Sequence, residues 1–135
     1  MNILLVDDSA VTRVLIQSIL SEHKDAKTFK FFNAENGQVA LDILAYNKID
    51  ICFIDWNMPV MDGEELIKNI HDDNDLKQLL VIVATAESSK ENVIKMAKLG
   101  IDAYLVKPFE KDAVTKTFDT VNAKKVPLRK AKPRA

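Results

Sequence analysis

Five short strand-like runs alternate with five stretches of helical hydrophobic periodicity, and no other feature restricts the fold of this chain as tightly. The runs are Asn2–Val6, Phe29–Phe32, Ile49–Ile54, Leu79–Ala84 and Ile101–Val106. Near-continuous apolar runs of this length suit strands buried on both faces. Between and after them, apolar residues recur at the spacing of one helix face. These are Val11, Val14, Leu15, Ile19 and Leu20; Val39, Ala40, Ile43 and Leu44; Leu66, Ile67 and Ile70; Val93, Ile94, Met96, Ala97 and Leu99; and Val114, Phe118 and Val121, in a last helix over Lys111–Val121. Local punctuation agrees. Asn36-Gly37 marks a turn, the pairs Asp62/Glu65 and Ser88/Glu91 have capping-box spacing, and Gly100 stops the fourth helix. Strict strand–helix alternation predicts an α/β fold, a five-stranded parallel sheet with helices on both faces.

The 135 residues suit one domain. With 47% hydrophobic and 29% charged residues, the composition is that of a globular protein. No apolar run approaches the roughly 20 residues of a membrane span. The N-terminus has no basic segment followed by a cleavage pattern, so a cytoplasmic location is expected. One cysteine, Cys52, excludes an internal disulfide, and within an apolar strand it reads as buried and inert. Two scattered histidines add no zinc site. The net charge of −1 conceals an asymmetry. Lys124, Lys125, Arg129, Lys130, Lys132 and Arg134 make a basic tail without acids, leaving 13 basic against 20 acidic residues before it, a net of −7. An acidic body argues against nucleic-acid binding. Residues 1–123 are therefore expected to form the domain, and 124–135 a disordered basic tail.

The residues that end the runs carry the chemistry. Asp7 and Asp8 follow the first, Asp55 ends the third, Thr85 the fourth, and Lys107 the fifth. In a parallel sheet these ends share one edge, where ligands bind in open α/β folds. Three carboxylates brought together repel one another unless a cation joins them. Oxygen ligands point to a hard ion, and Mg2+ suits one or two carboxylates combined with phosphate oxygens. A phosphoryl group could then enter, and one carboxylate could attack it to form an aspartyl phosphate. The lysine and the metal would stabilise charge on the equatorial oxygens.

Asp7-Asp8, Asp55-Trp56-Asn57-Met58-Pro59, Thr85-Ala86 and Lys107-Pro108-Phe109 together resemble the signature of bacterial response-regulator receiver domains, and of their chemotaxis members in particular. The resemblance spans residues 2–123. It implies a flavodoxin-like, doubly wound sheet of strand order 2-1-3-4-5. It implies phosphorylation at Asp55, and Mg2+ held by the side chains of Asp8 and Asp55 and the carbonyl of Asn57, with Asp7 on a metal-bound water. Lys107 would pair with the phosphoryl group, Thr85 would swing towards it, Ala86 would leave room for the donor, and Tyr104 would move inward behind Thr85. Asn57 and Glu87 would tune hydrolysis, and Lys107-Pro108 would be a cis peptide. The partners implied are a sensor histidine kinase as phosphodonor and a downstream protein, the flagellar motor switch first. The output surface would take in Lys90, Lys98, Tyr104 and Lys116. The chain is expected to act as a monomeric, stand-alone signalling switch that catalyses only its own phosphorylation and dephosphorylation, without nucleic acid or membrane.

Taken singly, each residue has an ordinary reading: Asp7-Asp8 as helix-capping acids, Thr85 as a loop hydroxyl, Lys107 as a solvated cation. Their joint placement at successive strand ends makes that reading improbable. A phosphate sink or relay adaptor remains open as the alternative. A haloacid-dehalogenase-type phosphatase needs a second carboxylate two residues after the nucleophile, where Asn57 stands. A flavin carrier needs a phosphate-binding loop where Asp7 and Asp8 would repel the ligand.

Overall fold

In the computed structural model, residues 1–86 and 89–131 are described, with side chains given as far as Lys124. The strands are β1 (Asn2–Val6), β2 (Lys30–Ala34), β3 (Ile51–Asp55), β4 (Leu80–Thr85) and β5 (Ala103–Val106). The helices are α1 (Ala10–Leu20), α2 (Gly37–Tyr46), α3 (Gly63–Asp72), α4 (Lys90–Leu99) and α5 (Lys111–Ala131). All strand pairs are parallel, in the order β2-β1-β3-β4-β5. The expected α/β architecture and strand order are both present.

Strand pleating sorts the core into two layers, because successive side chains point to opposite faces. Ile3, Leu5, Ile51, Phe53 and Ile82 meet Ile16, Ile19 and Leu20 of α1 and Val114, Phe118 and Val121 of α5. Leu4, Val6, Cys52, Ile54, Val81 and Val83 meet Ala40 and Leu44 of α2, Leu66, Ile67 and Ile70 of α3, and Met96 of α4. Burying such a side chain contributes about 1.5–3 kcal/mol, so the central strands β1, β3 and β4 are the rigid frame of the molecule. Burial also pushes the Cys52 thiol up, in keeping with an inert role.

Four local expectations change. The α1 stripe is not the one periodicity suggested. Val11, Val14 and Leu15 are 79%, 67% and 44% exposed, and Ile16 takes the inward position with Ile19 and Leu20. The helix carries apolar residues on two faces, and only the sheet selects one. The cap of α4 is Ser89, whose side chain accepts from the Asn92 amide, and Ser88 lies outside the described residues. The second strand extends to Ala34, in register with Val6. The last helix runs past Val121 to Ala131, into the basic segment 124–135. Residues 132–135 lie outside the described residues.

Candidate functional site

The parallel register carries the strand ends to one edge. Asp55 closes β3 opposite Ala84, so Thr85 stands one step beyond it at the end of β4. Asp7 follows β1, its amide donating to the Ala34 carbonyl at 3.0 Å. Lys107 follows β5, and its amide donates to the Thr85 carbonyl at 2.7 Å. Asp7, Asp55 and Thr85 are buried, while Asp8 stands exposed at the rim. One carboxylate oxygen from each of Asp7, Asp8 and Asp55 lies within 4.8 Å of the others.

The lysine bridges two of these acids. Lys107 Nζ donates to Asp7 Oδ2 at 2.8 Å and lies 3.4 Å from Asp55 Oδ1. Burial works against the ammonium, but the bond to Asp7 and the charges of Asp55 and Asp7 outweigh it and hold the group above its ordinary value. Asp55 is raised as well, which for a carboxyl disfavours the charged form. Burial, then repulsion by Asp7, push its carboxyl up to about 6, although Lys107 and the backbone amide of Asn57 oppose the shift. A single cation does not neutralise three carboxylates. An all-oxygen cluster with a residual negative charge fits a hard divalent cation.

The loop behind Asp55 is tightly built. The Gly63 amide donates to the Trp56 carbonyl at 3.0 Å. A Cβ on Gly63 would lie 2.5 Å from the Asp55 carbonyl oxygen and 2.8 Å from the Trp56 Cα. Only glycine permits that approach, which seats α3 directly against the end of β3. Trp56 itself is buried in the core.

Of the residues expected at the site, Asp7, Asp8, Asp55 and Lys107 come together, and Thr85 is joined to them through the Lys107 amide. Asn57 is exposed, with its amide on Asp55. Ala86 is exposed, directly after Thr85. Tyr104 stands on β5, 43% exposed and directed away from the core. Glu87 lies outside the described residues. Lys90, Lys98 and Lys116 are exposed. Lys107-Pro108 is a cis peptide. Two further contacts had no signal in the sequence. The Ser9 amide donates to Asp7 Oδ1 at 2.9 Å, and the Arg13 guanidinium donates through Nη1 to the Asp7 carbonyl.

A family model described as the response regulator receiver domain matches residues 3–119. The chain belongs to the response-regulator receiver family. The chemotaxis protein CheY-3 of Vibrio cholerae is 36% identical to this receiver over 121 residues, covering 90% of this chain and 91% of that protein. Among solved structures, the chemotaxis protein CheY4 of Vibrio cholerae superposes with a TM-score of 0.79 at 29% identity, covering 89% of this chain and 97% of that one. The Mn(2+)-bound form of the response regulator Rcp1 superposes with a TM-score of 0.76 at 27% identity, covering 86% and 88%. Receivers of this type are signalling switches, not conventional enzymes. Within this receiver, the acidic cluster is the place for a divalent metal. Among the described residues, no helix is long and apolar enough to cross a membrane.

Proposed function

We propose that this receiver is a phosphorylation switch of the chemotaxis type, written at Asp55 and read by a partner protein. The observation that carries the reading is the convergence of Asp7, Asp8, Asp55 and Lys107 at the C-terminal edge of the sheet. The phosphodonor is the phosphohistidine of a sensor histidine kinase. An Asp55 carboxylate oxygen forms a bond to phosphorus while the phosphorus–nitrogen bond to the donor imidazole breaks, and the imidazole leaves to take up a proton. Water later cleaves the aspartyl phosphate, at a rate set by Asn57 and Glu87.

Mg2+ is the proposed cation, and when bound it supplies charge neutralisation that lets a phosphoryl group approach. Asp8, Asp55 and the Asn57 carbonyl are its proposed ligands, with Asp7 on a bound water. That the solved response regulator Rcp1 is a Mn(2+)-bound form supports a divalent ion in a receiver of this kind. Lys107 binds the phosphoryl oxygens and so must loosen its hold on Asp7. Its amide bond to the Thr85 carbonyl offers a route from the phosphoryl group to the end of β4. Thr85 then turns towards the phosphoryl group, and Tyr104 on the neighbouring strand re-seats. The added charge biases a two-state equilibrium towards the partner-binding form. The chemotaxis relatives favour a flagellar motor switch protein as partner, in the cytoplasm.

Beryllofluoride with Mg2+ tests the reading. It should bind the parent and not Asp55→Asn, and it should strengthen capture of a motor switch protein. Thr85→Ala should accept beryllofluoride yet gain little partner affinity. If the parent takes up neither beryllofluoride nor acetyl phosphate, the proposal fails.

A further inference from the structure

Arg13 is a cation in the wrong place for its own helix. It is the fourth residue of α1, next to the positive end of the helix dipole, and the first turn holds no acid to offset it. Positive charge there is unfavourable. Its stabilising partners must therefore lie outside the helix. Nη1 donates to the backbone carbonyl of Asp7, and Nε donates to Asn33 Oδ1 of β2 at 3.2 Å. The guanidinium so spans from the loop after β1 to the end of the neighbouring strand.

That grip acts on a particular peptide. The Asp7 amide makes the last bond from this loop to β2, and the Asp7 carbonyl lies just beyond it. The Asp7–Asp8 peptide is planar. Fixing its carbonyl therefore fixes the plane from which both side chains depart. Asp7 turns inward, where Ser9 and Lys107 hold its two carboxylate oxygens, and Asp8 turns to the rim. With Arg13 in place, all four polar atoms of Asp7 are engaged. Among the described residues Asp8 has no such support of its own, so its direction depends on the peptide before it.

We infer that Arg13 is a positioning residue for the cation site, holding the Asp7–Asp8 peptide by its carbonyl so that both carboxylates face one divalent ion, without touching the ion or the phosphoryl group. The inference rests on the reading of the acidic cluster as a metal site. Two effects of Arg13 oppose each other there. Its charge repels a divalent cation, and its hydrogen bonds organise the ligands. The charge is exposed to solvent screening on the Asn33 side, whereas the bond to the Asp7 carbonyl is partly buried, so organisation wins.

The test is a titration of Mg2+ or Mn2+ into the full chain, followed by the fluorescence of Trp56, the single tryptophan, which adjoins Asp55. The variants are Arg13→Gln, Arg13→Lys and Asn33→Ala, each checked for folding by urea denaturation in chelator. Arg13→Gln should lose roughly tenfold in cation affinity, the scale expected for groups that support metal ligands. Arg13→Lys keeps the charge but not the two-directional planar fork, and should also bind more weakly than the parent. Asn33→Ala, at an exposed position, should lose less in the same direction. Unchanged or tighter binding by Arg13→Gln overturns the inference and leaves the guanidinium as a structural or repelling charge. If the Arg13 variants do not fold, unchanged affinity in Asn33→Ala overturns it instead. A parent that binds no cation overturns the metal reading and this inference together, an outcome distinct from a failure confined to the variants.

Discussion

Asp55 is held in a state its surroundings oppose. Its carboxyl, ordinarily near 3.8, is pushed up to about 6 by burial and by Asp7, against the pull of Lys107. The folded chain therefore binds this proton more tightly than the unfolded chain does. Ionisation then costs the native state stability. The cost is absent below about pH 4, grows between 3.8 and about 6, and is complete above that window. Asp55→Asn, which removes the charge and keeps the shape, should stabilise the metal-free protein at pH 7.5. The gain should be about 1–2 kcal/mol, less than the full shift implies because water reaches the pocket mouth. It should shrink towards zero at pH 4 and reverse when Mg2+ is saturating, since a bound cation removes the repulsion. Urea denaturation at the two pH values, with and without Mg2+, checks this, and a destabilised variant at pH 7.5 without metal would contradict it. Asp7, Asp55 and Lys107 were legible in the sequence because each ends or follows an apolar run. Ser9 and Arg13 were not, because their roles lie in an amide and a guanidinium that meet Asp7 only once the loop has turned.

At the scale of elements, α1 separates what periodicity can say from what packing decides. Its apolar residues occupy two faces. Ile16, Ile19 and Leu20 meet the sheet and α5, while Val11, Val14 and Leu15 face outward. Replacing Val11 and Val14 by serine should therefore leave stability within about 0.5 kcal/mol, as for surface sites generally. Ile16→Ala should cost about 2–5 kcal/mol, because it empties a closed core position. Chemical denaturation of the two variants checks the assignment, and a large loss in the serine variant would restore the face that spacing alone favoured. The β5 edge shows the same limit. Tyr104 and Val106 fall on one face of the strand, and both are exposed, because α5 covers the other face. Tyr104 therefore starts outside, as the proposed inward re-seating requires.

For the whole molecule, folding concentrates negative charge at one sheet edge. The two hydrophobic layers bear that strain, since the strands that carry Asp7, Asp55 and Thr85 are the most buried in the chain. A cation that binds only the assembled cluster must then stabilise the fold by mass action. At a concentration 100 times its dissociation constant the gain is about 2.7 kcal/mol. For a domain of this size that corresponds to roughly 10 °C in Tm. Thermal unfolding in Mg2+ against unfolding in chelator measures it directly. Coincident curves would mean that the three carboxylates do not act together on a metal.

The sequence by itself determined the architecture and most of the site, because both depend on short-range patterns. Alternating strands and helices force a parallel sheet, and a parallel sheet aligns every strand end. A residue placed at the end of an apolar run is thereby placed at the common edge, so Asp7, Asp8, Asp55, Thr85 and Lys107 could be brought together without coordinates. Only the tertiary structure decided which face of α1 turns inward, that the Ser9 amide holds an Asp7 carboxylate oxygen, how far burial and repulsion perturb Asp55, and that Arg13 grips the Asp7 carbonyl. These depend on distances between segments far apart in the chain and on how much water folding leaves around them, and neither is written in local periodicity.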